Sequence, residues 1–348
     1  MRNLSAQEMF IRMAESHRPK FHFEGFKGGF QRWKKSAKPA VLATLGQWPE
    51  SVPANPELVA EWMDRGLRKR RYLIDVGPHA SVAFQVNVPG NLRPGEKRPA
   101  ILCWHGHGPA GKDGVMGNLV NDDVRAEIRR HNYDYGHQMA EKGFVTFAID
   151  WMGGGERSEI RSPHFRSTAG GRDWCNLYYL HATQFGMTSL SINLGHARAA
   201  TDFALTLPEI DARRLGVMGL SGGGTMTLWT ALCDRRFKAA EIICYSHLWA
   251  LFGIRAVNYC GMQVAPGLYT LVDVPDLQGL LAPLPLLVDI GSADDCFPVG
   301  GAMACHRQLK KIYAAAGAAD RLQLDLFPGG HVWGGHRSEA FFKKELGF

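Results

Sequence analysis

The sequence predicts an α/β fold: a doubly wound, mostly parallel, eight-stranded sheet with helices on both faces, preceded by a basic N-terminal extension. Three observations carry this expectation. From Tyr72 onward, short apolar runs rich in β-branched residues alternate with helical stretches, the pattern of strands buried on both faces by crossover helices. One of these runs, Leu215 to Leu220, leads into Gly219-Leu220-Ser221-Gly222-Gly223 and then another helical stretch. Charge divides the chain as well: residues 1–71 hold 14 Lys and Arg against 7 Asp and Glu, whereas residues 72–348 hold 26 of each, so the net +7 sits in the first fifth.

Taken in order, residues 1–71 form the extension and 72–348 the main domain. The extension reads as helical and irregular, with a helix expected over Glu57–Lys69 behind Pro53 and Pro56. Its basic residues cluster at Arg32, Lys34, Lys35 and Lys38 and again at Arg68 to Arg71, interleaved with Phe21, Phe23, Phe26, Phe30 and Trp33. Rings beside cations can stack the bases of a single nucleic-acid strand. No recognisable nucleic-acid module surrounds these rings, so the expectation is an arm pinned to the domain and no nucleic-acid partner. In the main domain the expected strands are 72–76, 80–88, 100–105, 144–150, 215–220, 240–245, 286–291 and 322–327. Helices are expected over 122–142, 193–206, 222–233, 300–316 and 337–346.

Two connections, 152–191 and 246–285, are too long for simple turns, and long loops inside compact domains are usually functional. Both follow strands of an open α/β sheet, whose ligands sit beyond the carboxyl ends, so both are expected to wall a pocket. Trp151, Trp249 and Trp333 are the expected substrate contacts. The aromatic stretches 174–179 and 247–252 have a second use as a homo-oligomer interface.

Composition removes other classes. With 348 residues, 45% hydrophobic and 21% charged, the chain has ordinary globular usage. No run approaches the roughly 18 uncharged apolar residues of a membrane span, and the N-terminus lacks an apolar signal core. Seven cysteines without a Cys-x-x-Cys pair imply reduced thiols rather than a disulfide framework or zinc knuckle. The reading is cytoplasmic, with no membrane partner.

The chemistry centres on Ser221. A strand turning sharply into a helix at Gly-x-Ser-x-Gly projects the serine hydroxyl outward, and side chains at Gly219 or Gly223 would strike neighbouring backbone. A serine hydroxyl is a poor nucleophile, so a histidine must take its proton and a carboxylate must orient that histidine. After the strand 286–291 come Asp294 and Asp295. Asp294 is taken as the orienting acid, and its neighbour as a turn or helix cap. After the last strand comes Pro328-Gly329-Gly330-His331, and His331 is the expected base, since His306 falls within a helix and His336 begins one. The oxyanion hole is expected from the N–H groups of Gly222 and His107, the latter in Trp104-His105-Gly106-His107-Gly108. Alternate residues on a strand share a face, so His105 and His107 have a rival reading as a metal pair; without a third ligand nearby, no metal is expected.

These motifs, in this order, resemble the α/β-hydrolase superfamily over about residues 72–348. Ala148-Ile149-Asp150, Gly153-Gly154-Gly155-Glu156-Arg157 and Leu207-Pro208-Glu209-Ile210-Asp211 look like its dienelactone-hydrolase-like and acetyl-xylan-esterase-like branch. The resemblance implies hydrolysis of carboxylic esters, often short acyl groups on sugars, with a small-molecule or saccharide ester as substrate and no cofactor. Within that branch dienelactone hydrolases use a cysteine nucleophile where this chain has Ser221, and glucuronoyl esterases carry arginine where it has Gly222. The alternatives are a serine peptidase on the same residues, a non-catalytic binding protein on a hydrolase scaffold, and a protein recruited through its basic arm.

Overall fold

The computed structural model describes residues 2–159 and 174–348. Among them are nine strands: β1 (Glu57–Asp64), β2 (Leu67–Gly77), β3 (Ala80–Pro89), β4 (Arg98–Trp104), β5 (Val145–Ile149), β6 (Ile210–Leu220), β7 (Phe237–Ile243), β8 (Leu286–Gly291) and β9 (Leu322–Phe327). They make one sheet in the order β1-β2-β3-β5-β4-β6-β7-β8-β9. Pairing is antiparallel from β1 through β3 to β5. From β5 across to β9 every pairing is parallel. The parallel strands are the ones the sequence displays most plainly: β5 and β8 are buried along their whole length, so each reads as an apolar run with a single polar residue, Thr146 or Asp289.

The sheet has nine strands where eight are expected, because the helix expected over Glu57–Lys69 is a hairpin. Asp64 pairs with Leu67, leaving a two-residue turn in which Arg65 (φ 46°) and Gly66 (φ 77°) are both left-handed. That turn matches the twist of antiparallel strands. The sheet thus reaches back to Glu57, and the strand expected from Tyr72 begins at Leu67. The basic cluster Arg68 to Arg71 is a run of strand residues on β2, each paired to a carboxylate. Arg68 and Arg70 both grip Glu209, Arg71 pairs with Asp113, and the fully buried Lys69 reaches Asp64 at 2.8 Å and the Met116 carbonyl at 2.9 Å.

Two further differences matter for the site. The helix expected over 122–142 is two, Asp122–His131 and Tyr135–Glu141, because Asn132 turns left-handed (φ 49°) and ends the first. N-terminal to the sheet, the helix Gly29–Ala43 buries Phe30, Trp33, Ala37 and Val41. Trp33 is wholly buried and donates its indole N–H to the Phe21 carbonyl at 2.7 Å, while the Phe21 N–H reaches the Leu271 carbonyl at 2.7 Å.

The connection 246–285 folds into a π-helical turn, Ala250–Arg255, and two short helices, Leu268–Leu271 and Val274–Gly279. The connection 152–191 contributes the helix Trp174–Gln184. Residues 160–173 of that connection lie outside the described residues. Among the described residues no helix is long and apolar enough to cross a membrane.

Candidate active site

β6 ends at Leu220 and the helix Gly222–Cys233 starts two residues later, so Ser221 must make the whole turn. It does so at φ 60°, ψ −120°, a conformation side-chain-bearing residues avoid. Its N–H donates to the Ile243 carbonyl at 2.9 Å and its carbonyl accepts the Gly224 N–H at 2.8 Å. The flanking glycines are required by contact. A Cβ on Gly219 would lie 2.6 Å from the Gly223 carbonyl oxygen, and one on Gly223 would lie 2.4 Å from that of Trp104. Gly222 occupies the first helical position, where an N–H has no partner within the helix.

Asp294 and His331 lie beyond the ends of β8 and β9, on the same carboxyl edge of the sheet as Ser221. The two loops are laced together: Ser292 N–H donates to the Phe327 carbonyl at 2.9 Å and Ala293 N–H to the Gly329 carbonyl at 2.8 Å. This brings His331 Nδ1 to 2.9 Å from Asp294 Oδ2. The other carboxylate oxygen accepts N–H groups of Cys296 (2.8 Å) and Phe297 (2.7 Å). Burial pushes the Asp294 carboxyl up, but the His331 hydrogen bond and charge, with the Phe297 N–H, outweigh burial and hold it below its ordinary value. Asp295 is exposed. The His331 ring stacks on Phe297 (centroids 5.5 Å, 15°), which stacks on Phe252 (4.2 Å, 15°).

Cys244 links the two halves of the site. It follows Ile243, whose carbonyl holds the Ser221 N–H, and its thiol donates to the Val332 carbonyl at 3.4 Å. Its sulfur also lies within 4.8 Å of the facing Asp294 and His331 ligand atoms. Sequence reading passed over it, because a cysteine after a strand carries no signal of such contacts.

The loop after β4 crosses this edge. β4 ends at Trp104, so strand alternation does not extend to His105 and His107, and the two rings part. His105 is fully buried, accepts the Trp151 backbone N–H on Nε2 at 3.1 Å, and has Nδ1 2.8 Å from the Gly106 carbonyl. Burial pushes its pKa down to about 4, so the ring is neutral. His107 is exposed, with Nδ1 3.0 Å from where a Cβ on Gly222 would stand. Two tyrosines hold this region: Tyr133 accepts the Gly106 N–H, and Tyr135 donates to the Trp104 carbonyl while accepting the Leu220 N–H at 3.4 Å. Both follow the helix break at Asn132 by no more than three residues, a signal the expectation of one continuous helix hid.

Asp150, in the Gly-rich stretch after β5, is buried and accepts the Lys112 N–H (2.7 Å), the Lys112 ammonium (3.0 Å) and the Glu156 N–H (3.1 Å). A Cβ on Gly155 (φ 50°) would lie 2.3 Å from the Asp150 carboxylate, so glycine there leaves room for the acid.

The three tryptophans separate. Trp151 lines the site: its ring meets the His107 ring edge-on at 4.8 Å and lies 3.0 Å from the Gly222 Cβ position. Trp249 is buried against Tyr269 (centroids 5.5 Å), and Trp333 is buried against Tyr135 with its indole N–H on Glu241 and Ser338, each at 3.1 Å. These two are core residues, a correction to their reading as substrate contacts. Adjacency to His331 in sequence does not decide which way Trp333 points. Below it, Glu241, Asp289 and Asp325 sit on β7, β8 and β9, with Asp289 opposite Asp325. Burial raises the Glu241 and Asp289 carboxyls above their ordinary values; the charge of Asp325 adds to both and that of Glu241 to Asp289, while hydrogen bonds from Ser338, Trp333 and Asp289 offset part of the rise at Glu241. A cleft of about 650 Å³ between Leu42, Trp48, Arg198, Asp202 and Arg236 lies apart from these residues and shares none with the site.

Residues 1–189, more than half of the chain, match the model described as the abhydrolase family. The chain belongs to that family. Residues 197–348 of this abhydrolase match a second model, the prolyl oligopeptidase family. YtaP of Bacillus subtilis (strain 168) is 24% identical over 235 residues, covering 67% of this chain and 73% of YtaP. The glucuronoyl esterase from Solibacter usitatus superposes with a TM-score of 0.67 at 15% identity, covering 92% of this chain and 94% of that one. Acetyl xylan esterase 1 from Thermoanaerobacterium sp. JW/SL YS485 gives 0.56 at 14% identity, covering 99% of each. At these identities the likeness is one of fold alone, and it is the two family matches that bear out the expected resemblance to the α/β-hydrolase superfamily.

Proposed function

We propose that this abhydrolase cleaves carboxylic esters by acyl transfer through Ser221. His331 takes the Ser221 proton as the hydroxyl oxygen attacks the ester carbonyl, and Asp294 keeps the imidazole in the tautomer that can do so. The oxyanion rests on the N–H groups of Gly222 and His107, the former at a helix N-terminus; the neighbouring Gly106 N–H is already given to Tyr133. His331 returns the proton to the departing alcohol, and water repeats the cycle to free the acid and Ser221. The substrate is a small-molecule or saccharide ester whose acyl part packs against Trp151. The observation that carries this reading is a serine forced into a left-handed strand-to-helix turn on the sheet edge that also bears an aspartate-bound histidine.

Hydrolysis of p-nitrophenyl esters across acyl lengths, compared between wild type and Ser221→Ala, tests it. The variant should lose several orders of magnitude in kcat with an unchanged fold; equal turnover would sink the proposal. A second reading is a serine peptidase, favoured by the prolyl oligopeptidase match, which spans Ser221, Asp294 and His331. Cleavage of aminoacyl anilides in preference to esters would select it.

A further inference from the structure

A second group of reactive side chains stands beside this site. His107 comes from the loop after β4, Cys175 from the first turn of the helix Trp174–Gln184, and Cys260 from the connection after β7. Their ligand atoms all lie within 4.8 Å of one another, with His107 Nε2 3.2 Å from Cys260 Sγ. The backbone around them is tied down. Gly261 N–H donates to Asn176 Oδ1 at 2.8 Å, and Cys260 N–H to Gln263 Oε1 at 3.2 Å. A Cβ on Gly261 would lie 2.2 Å from the Tyr179 Cβ and 2.9 Å from the Cys175 carbonyl oxygen, so the Cys260 segment rests directly on the helix that carries Cys175. The His107 ring is braced by Trp151.

Two sulfurs and an imidazole nitrogen are the donor set of soft d10 ions. Tetrahedral zinc, with Zn–S about 2.3 Å and Zn–N about 2.0–2.1 Å, sets such ligand atoms roughly 3.5–3.8 Å apart, within the spread found here. Three protein ligands leave a fourth position open.

We propose that His107, Cys175 and Cys260 bind a soft metal ion of the zinc and cadmium type, and that filling this site inhibits ester hydrolysis. The inhibitory half rests on the proposed esterase reading; the binding half does not. The ion immobilises His107, whose backbone N–H faces the developing oxyanion, and its open position captures the ester oxygen away from that N–H and from Gly222. Binding displaces the two thiol protons to solvent and involves no redox change.

The test is titration of the reduced full-length protein with Cd2+, read by thiolate-to-cadmium charge-transfer absorption without substrate. One equivalent should bind. Cys175→Ser and Cys260→Ser should each weaken binding by more than the roughly 10- to 100-fold that outer partners of a metal site contribute, whereas Cys233→Ser should leave it unchanged. In the wild-type protein Cd2+ should also shield Cys175 and Cys260 from alkylation, read by mass spectrometry, which needs no variant to fold. Zn2+ should then suppress ester hydrolysis in wild type but not in the two serine variants, whose metal-free rates should be unchanged. Affinity no better than about 1 mM, equal binding by wild type and both serine variants, or unprotected thiols overturns the site. Tight binding with undiminished ester turnover overturns the inhibition alone, and an absent esterase activity with tight binding overturns the esterase reading while the site stands.

Discussion

Ser221 pays for its position in backbone strain. A non-glycine residue at φ 60°, ψ −120° costs on the order of 1–3 kcal/mol. Ser221→Gly should therefore do two opposite things: abolish ester turnover and raise the unfolding free energy by about 1 kcal/mol. Chemical denaturation alongside the p-nitrophenyl assay reads both, and a destabilised glycine variant would contradict the strain. The orienting acid is equally separable. With Asp294 on His331 and Asp295 exposed, Asp294→Asn should lower kcat by about 10⁴-fold and Asp295→Asn by less than about twofold. The reverse ranking would move the role to Asp295. At this scale the placing of Ser221, Asp294 and His331 at strand ends was legible because each follows a strand at a glycine-softened turn. The roles of Cys244, Tyr133 and Tyr135 were not, because they exist only through contacts with segments far away in the chain.

Strands β7, β8 and β9 carry the acids beneath the His331 loop, and their burial sets a pH dependence. Burial pushes the Glu241 carboxyl up to about 7 and raises Asp289 as well, so the folded chain holds protons there that the unfolded chain has released. Stability from this cluster is complete below the ordinary carboxylate range and declines as pH rises from there through neutrality. Asp289→Asn, which keeps the shape and needs no proton, should raise the melting temperature at pH 8 more than at pH 5, with a gain on the order of 1 kcal/mol at the higher pH. Thermal melts at the two pH values decide it, and a larger gain at pH 5 would reverse the sign argued here. Legibility among the elements follows the apolar pattern. β8 has the bounds expected because it is a mostly apolar buried run bounded by turns, and β9 because Leu322, Leu324 and Leu326 alternate with polar residues in a half-buried strand. The β1–β2 hairpin was hidden because β1 is largely exposed and β2 carries four consecutive basic residues, whose partners Glu209 and Asp113 cannot be seen locally.

Across the whole molecule, the basic N-terminal region is part of the packing. Trp33 lies in the same core cluster as Trp104 of β4 and Trp229 of the helix that follows Ser221. Trp33→Ala should cost about 3–5 kcal/mol, measured by urea unfolding, where a loosely attached arm would cost almost nothing. The two family matches meet between residues 189 and 197, and the sheet is joined there by one seam, β4 against β6. Gly219 and Gly223 fit against the Trp104 carbonyl along that seam, so the serine turn packs backbone to backbone against the strand end that leads into the loop bearing His107. During synthesis β4 emerges more than a hundred residues before β6. At about 5–20 residues per second the ribosome leaves its edge unpaired for several seconds or more, a row of free N–H and C=O groups on an apolar strand. That interval is when a nascent chain is most open to mispairing with its neighbours on a polysome, and when a chaperone has most to protect.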